Sequence, residues 1–240
     1  MVISYFPIVL TGFLAGLILA FLLRRISAIY NILLFKRIPL IGGIAMGLSF
    51  IIACLVNLLF YRSLSQETIG IIAASLIMLV LGVVDDWKEL SVPAKLVAQI
   101  ITTSLLIFFG VRTQIIHIGN LANVIITFIW VLGISNAFNH LDVADGVAAG
   151  VALIVSLAFF IICVLNGDIK NAILTLALSS TVASFLIYNL PPAKIYMGNS
   201  GSHFLGFILA AIALAINYAP LERKIALLSP VLILGLPIFD

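Results

Sequence analysis

Charge is scarce in this sequence. Asp, Glu, Lys and Arg make up 9% of its 240 residues, against about a quarter in an ordinary soluble domain. Twelve basic and nine acidic side chains cannot coat a soluble chain of this length. A soluble globular enzyme is therefore excluded. A disordered chain is excluded by the 64% hydrophobic content. A nucleic-acid binder needs a dense basic face, which a net charge of +3 does not supply. Cysteine is scarce too. Cys54 and Cys163 lie within apolar runs and read as buried thiols, not as a disulfide framework or a metal site. The first apolar run lacks a basic segment before it; Arg24 and Arg25 follow it, so it does not read as a cleavable signal peptide. The polarity alternation of transmembrane barrel strands is missing. An integral membrane protein of helices remains.

A helix crosses the hydrocarbon core with about 20 mostly apolar residues. Runs of that kind predict nine spans: Tyr5–Leu23, Ile41–Phe60, Thr68–Val84, Ala94–Gly110, Leu121–Ser135, Val147–Leu165, Ala172–Tyr188, His203–Tyr218 and Ile225–Phe239. The expected fold is all-α, a polytopic transmembrane bundle forming a single membrane domain over 1–240. Basic residues concentrate on the cytoplasmic side. The loop after the first span holds Arg24, Arg25, Lys36 and Arg37, and the loop after the second holds Arg62 alone. This predicts an outward N-terminus. Alternation then places Lys88, Lys95 and Lys194 inside, and Arg112, Lys170, Arg223 and Lys224 outside. The acids follow suit, with Asp85, Asp86, Glu89, Asp142, Asp145 and Asp240 inside and Glu67, Asp168 and Glu222 outside. Four polar segments far apart in sequence thus meet one membrane face.

Asp85 and Asp86 end the third span. A helix C-terminus carries partial negative charge, so two carboxylates there need a cation; alternatively they cap a solvated end, with Trp87 as interfacial anchor. Ser91-Val-Pro starts the next helix, setting Lys95 near the surface. Asn136, Asn139, Asp142 and Asp145 recur every third residue, which on a helical turn gathers oxygens on one face. Such donors suit a hard cation, although Asp145 could simply cap the sixth span. Gly198, Asn199, Ser200, Gly201 and Ser202 precede the eighth span, as an anion-binding nest or a capped turn. Gly42 and Gly43 follow a tight turn after Lys36-Arg37 and allow either close backbone approach or close helix packing. His117, His140 and His203 receive no catalytic assignment.

Together these segments resemble the polyprenyl-phosphate N-acetylhexosamine-1-phosphate transferases of glycosyltransferase family 4, nearer the N-acetylglucosamine branch than the muramoyl-pentapeptide branch. The likeness runs from about Lys36 to Asp240. It is carried by Pro39-Leu-Ile-Gly-Gly, by Gly82-Val-Val-Asp-Asp-Trp-Lys-Glu-Leu-Ser with Lys95, by Asn136-Ala-Phe-Asn with Asp142 and Asp145-Gly-Val-Ala-Ala-Gly, and by Met197-Gly-Asn-Ser-Gly-Ser-His-Phe-Leu-Gly. It implies a bacterial inner-membrane enzyme of envelope polysaccharide synthesis with a cytoplasmic site. There a polyprenyl (undecaprenyl) phosphate attacks a UDP-N-acetylhexosamine and releases UMP, with Mg²⁺, or Mn²⁺ in its place, as cofactor. By resemblance Asp85 and Asp86 form the catalytic acidic pair, and Asp86, Asn139 and Asn199 sit at the metal. Asp142, counted with the catalytic residues, lines the sugar-nucleotide pocket with Asp145. Lys95 contacts pyrophosphate, and Lys36, Gly42, Gly43, Asn136, Gly198, Ser200, Gly201 and Ser202 border the substrates. A homodimer is left open.

The chain departs from the family in three places. Asn199 stands where the family has a magnesium-binding Asp, which should weaken metal affinity. Val143 adds bulk where the family has Gly. The family continues past Leu236-Pro-Ile-Phe-Asp240 into an Arg- and His-rich cytoplasmic loop, so a truncated chain is expected. Two other readings stand beside the transferase: an impaired relative that binds polyprenyl phosphate or scaffolds a complex, and a transporter. Transporters place polar sites inside broken helices, which disfavours the last.

Overall fold

With almost no charge to solvate, the apolar runs satisfy their main-chain groups in hydrocarbon by closing helices. The computed structural model describes residues 5–61, 64–116, 118–218 and 228–239. Arg62, His117, Glu222, Arg223, Lys224, Asp240 and the start of the ninth expected span lie outside the described residues. The helices are α1 Phe6–Tyr30, α2 Gly42–Tyr61, α3 Gln66–Trp87, α4 Val92–Phe108, α5 Gly119–Leu141, α6 Val147–Leu165, α7 Ile169–Asn189, α8 Gly198–Ala215, α9 Ser229–Ile233 and α10 Gly235–Phe239. Local chemistry sets several starts. Ser65 Oγ accepts the Thr68 N–H at 3.2 Å to begin α3, Asp168 caps α7 through the Asn171 N–H, and Pro93 sits in the first turn of α4. Ser91 occupies the N-cap of α4 without a side-chain hydrogen bond.

The chain is a polytopic helical membrane bundle. Among the described residues, α1, α3, α5, α6, α7 and α8 are long and apolar enough to cross a membrane. The apolar part of α2, Gly42–Val56, and the whole of α4 are shorter. The ninth expected span is not one helix over its described part: α9 and α10 are five residues each, parted at Leu234, where Gly235 and Pro237 disfavour continuation. The fifth span also differs. α5 runs on through the polar Asn136–Leu141 stretch before stopping at Asp142. Cys54 and Cys163 are free and buried, as expected.

Burial organises the layers. In α8, 83% of the apolar window is buried, against 22% in α1, so α8 is the central element and α1 faces lipid. α8 packs against α3, α5 and α2, while α1 and α6 lean on α7. α8 approaches α2 so closely because glycine faces glycine: a Cβ on Gly43 would collide with the Gly201 backbone. Between α1 and α2 lies a small antiparallel hairpin, β1 Leu34–Phe35 and β2 Ile38–Pro39. Its tip residues Lys36 and Arg37 have φ of 49° and 68°, the left-handed pair that a two-residue hairpin demands and that non-glycine residues adopt reluctantly.

Gly43→Ala should lower stability by about 1–3 kcal/mol through overpacking against backbone. Gly133→Ala, which meets nothing within 4 Å, should not. Thermal unfolding of both variants in detergent checks this, and equal melting points would contradict the close approach.

Candidate active site at one end of the bundle

Three helix ends carry the polar residues. α3 ends on Asp85, Asp86 and Trp87, α5 ends just before Asp142, and α8 begins at Gly198. The C-terminus of α3 therefore brings two carboxylates to a negative dipole end, and each finds a positive partner. Asp85 Oδ2 pairs with Lys95 Nζ at 2.7 Å, and its Oδ1 accepts the Leu90 N–H at 2.8 Å. Asp86 reaches across to α8: the Asn199 N–H donates to Oδ1 at 2.7 Å and the Ser200 N–H to Oδ2 at 3.0 Å. Met197, the N-cap of α8, provides no side-chain cap, so Asp86 supplies it from another helix. Gly198, at φ +72°, makes room, since a Cβ there would lie 2.6 Å from Asp86 Oδ2. Of the two readings of this segment, the geometry is a capped helix start, with the cap supplied by the Asp86 carboxylate and not by Asn199 or Ser202.

The hairpin and the glycine turn are fastened to the same helix start. The Tyr196 N–H donates to the Pro39 carbonyl at 2.8 Å. The Gly42 N–H donates to Tyr196 O at 2.9 Å and the Gly43 N–H to Met197 O at 3.0 Å. On the other side, the Asn139 amide donates to Asn199 Oδ1 and to Ser202 Oγ, both at 2.9 Å. The Asp142–Gly146 turn is tied to the segment before α8: the Ala193 N–H donates to Asp145 Oδ2 at 2.9 Å, and the Gly146 N–H to Asn189 Oδ1 at 3.0 Å. Asp145 therefore braces this turn and does not cap α6, whose N-cap is Gly146.

These contacts frame a cavity of about 670 Å³. Lys36, Asp85, Asp86, Lys95, Asn139, Asp142, Asp145, Gly198 and Asn199 all line it. The other expected site residues stand behind its wall. Gly42, Gly43 and Gly201 form the close packing of α2 on α8. Ser200 and Ser202 are buried. Asn136 turns to α4 and pairs with Gln99. The three-residue period fails there because α5 continues through Asn136 and Asn139 but stops at Asp142, where the turn redirects the chain. Sequence reading missed Phe35, Tyr196, Glu89 and Asn189, which also line the cavity. Phe35 and Tyr196 flank motif residues and lie 6.2 Å apart between ring centroids, but nothing in their spacing signals that approach.

Electrostatically the cavity is acidic, with five carboxylates against two lysine ammonium groups. Asp85 and Asp86 are compensated internally. Asp142 accepts no hydrogen bond from a described residue, and burial, then Asp86 and Asp145, push its carboxyl up to about 7. Among the described residues no three His, Cys, Asp or Glu side chains converge as a ready metal cluster. The donors present are nevertheless all oxygens. A small divalent cation such as Mg²⁺ takes one or two protein carboxylates and completes its shell with phosphate and water, so Asp86, Asn139, Asp142 and Asn199 fit it.

A helical bundle with an acidic, lysine-edged cavity at one end defines a membrane protein with a polar reaction chamber. Residues 68–217 match Glycosyl transferase family 4, and the chain belongs to that family. A probable undecaprenyl-phosphate N-acetylglucosaminyl 1-phosphate transferase of Bacillus subtilis is 32% identical, over 85% of this chain and 58% of its own length. A decaprenyl-phosphate N-acetylglucosaminephosphotransferase of Mycobacterium leprae is 28% identical, over 97% of this chain and 65% of its own. A phospho-N-acetylmuramoyl-pentapeptide-transferase of Staphylococcus aureus is 28% identical, over 75% and 62%. The chain spans roughly three fifths of these relatives' length.

The raised Asp142 carboxyl has a sign that can be tested. The folded state holds this proton more tightly than the unfolded state, so the stability the group contributes is lost as pH rises through about 7. Without divalent cations, thermal stability should fall from about pH 4 to about pH 7 and level off above it, and Asp142→Asn should flatten that slope.

Proposed function

We propose that this chain transfers N-acetylhexosamine-1-phosphate, with N-acetylglucosamine as the sugar, from a UDP-sugar to polyprenyl phosphate and releases UMP. The observation that carries this reading is the convergence of α3, α5 and α8 on one cavity with Asp86, Asn139, Asp142 and Asn199, flanked by Lys36 and Lys95. The membership of the family and the printed names of the relatives, which specify undecaprenyl and decaprenyl phosphate, support it. A site at a helix-bundle end admits a soluble nucleotide from water and a lipid phosphate from the bilayer. We place the site on the cytoplasmic face of the bacterial plasma membrane, following the basic loop after α1.

The chemistry follows from charge. A phosphate monoester has a second pKa of about 6 and is largely dianionic at neutral pH, so the acceptor needs orientation more than deprotonation. Its oxygen attacks the β-phosphorus of the donor, the bond to the bridging oxygen breaks, and UMP carries that oxygen away. Two lysines cannot offset a diphosphate inside a ring of carboxylates. A bound Mg²⁺ would neutralise the phosphate oxygens and the leaving group. Asn139 of α5 and Asp142 just past its end would hold it, with Asp86 from the end of α3 and Asn199 from the start of α8. Asp85 keeps the Lys95 ammonium at the cavity edge, where it meets pyrophosphate. Lys36 is presented by the strained hairpin tip. The Phe35 and Tyr196 rings, tilted 59° to each other, give the cavity an aromatic edge against which a nucleobase can pack.

A second reading, polyprenyl-phosphate binding with little turnover, is favoured by Asn199, which is neutral and already engaged by the Asn139 amide. Transport is disfavoured because the acids stand at helix ends.

Purified protein with UDP-N-acetylglucosamine and polyprenyl phosphate should release UMP, and chelation of divalent ions should stop it. Asn199→Asp should tighten Mn²⁺ binding about tenfold, read by electron paramagnetic resonance. Lipid binding without UMP release would favour the second reading, and unchanged metal affinity would remove Asn199 from the metal. For orientation, Ser91→Cys should label from the cytoplasmic side only, and external labelling would invert the topology.

A further inference from the structure

Beside the Asp85–Lys95 pair, and sharing it with the main cavity, lies a second compartment between α3, α4 and α8. Its volume is about 10 Å³, close to the minimum for one water molecule. Its polar walls are Asp85, Lys95, Gln99 and His203. His203 is 5% exposed, and its Nδ1 has no hydrogen-bond partner among the described residues. A buried ring nitrogen left unpaired is costly. Gln99 is fixed in place by a reciprocal amide pair with Asn136, at 3.1 and 3.2 Å, which leaves one N–H of its amide free. Asp85 Oδ2, though paired with Lys95, retains accepting capacity.

We infer that this compartment binds a single water, and that His203 through it is a positioning residue for Lys95. The water both donates and accepts. It serves His203 Nδ1 in either tautomer, takes the spare Gln99 N–H or donates to Asp85 Oδ2, and so has the two or more polar partners that an ordered buried water needs. The arrangement gives a role to two residues the main cavity leaves out. Asn136 fixes Gln99, and His203 closes the opposite wall. It also gives Lys95, whose side chain is 29% exposed, a constraint beyond its ion pair, since a partly exposed pair alone holds a long side chain weakly. The significance for catalysis rests on the proposed pyrophosphate role of Lys95; the binding of the water does not.

The test reads Lys95 directly. Intact protein in lipid nanodiscs is treated with an amine-acylating reagent, and the modification of Lys95 is followed by mass spectrometry. His203→Leu removes the nitrogen at similar volume and should speed Lys95 acylation about tenfold, the equivalent of one charge-assisted hydrogen bond. His203→Asn places an amide near the lost Nδ1 and should restore the slow rate. Gln99→Leu removes the opposite wall and should also accelerate acylation. Should His203→Leu fail to fold, the contrast between His203→Asn and Gln99→Leu decides. A wild-type acylation rate in both leucine variants, or the same fast rate in His203→Asn as in His203→Leu, overturns the inference. Because acylation needs no turnover, a failure of the transferase reading would leave this result intact and separately legible.

Discussion

The cavity depends on one contact, the Asp86 carboxylate seated on the N-terminus of α8. Helix α3 ends with partial negative charge, and α8 starts with unpaired N–H groups and partial positive charge. Asp86 joins the two ends with two short hydrogen bonds. This fixes Asn199 and, through the Asn139 amide, the end of α5. It also fixes the backbone of Tyr196 and Met197, to which the hairpin and the start of α2 are bonded. Lys36 therefore reaches the cavity through a chain of backbone contacts that begins at the α8 start.

Charge compensation then decides which groups remain for chemistry. Asp85 is neutralised by Lys95, and Asp86 by a helix end. Asp142, sitting in the turn after α5, has neither, and burial, with Asp86 and Asp145 nearby, raises its carboxyl. An acidic chamber with five carboxylates against two lysines selects cations first, and anions only in their company. That order suits a metal-bridged diphosphate and gives the few acids of a charge-poor chain a common purpose.

Much of this was legible in residues. The apolar runs located the helices from α1 to α8, and the scarcity of charge made each acid informative. The motifs at Asp85-Asp86, Asn139 to Asp145 and Gly198-Asn199 pointed to one face, and the cavity contains them. Where the reading went astray, the cause was direction. Asn136 shares the motif and the spacing, yet it faces α4, because three-residue steps drift around a helix and α5 ends before the period is complete. Gly42, Gly43, Gly201 and Ser202 belong to the motifs as packing and wall residues, because a glycine gives no sign in sequence of whether a ligand or another helix will approach it. The ninth run was apolar enough but carries Gly235 and Pro237, and its described part forms two short helices.

The sequence by itself determined the membrane class, the helices and the set of polar residues that would share an end of the bundle, since these follow from local composition and periodicity. Only the tertiary structure decided which charges cancel. That Asp86 caps a helix more than a hundred positions away, that Lys95 belongs to Asp85, and that His203 and Gln99 enclose a second compartment are consequences of packing. Electrostatic partnership depends on distance in space, and distance in sequence carries no trace of it.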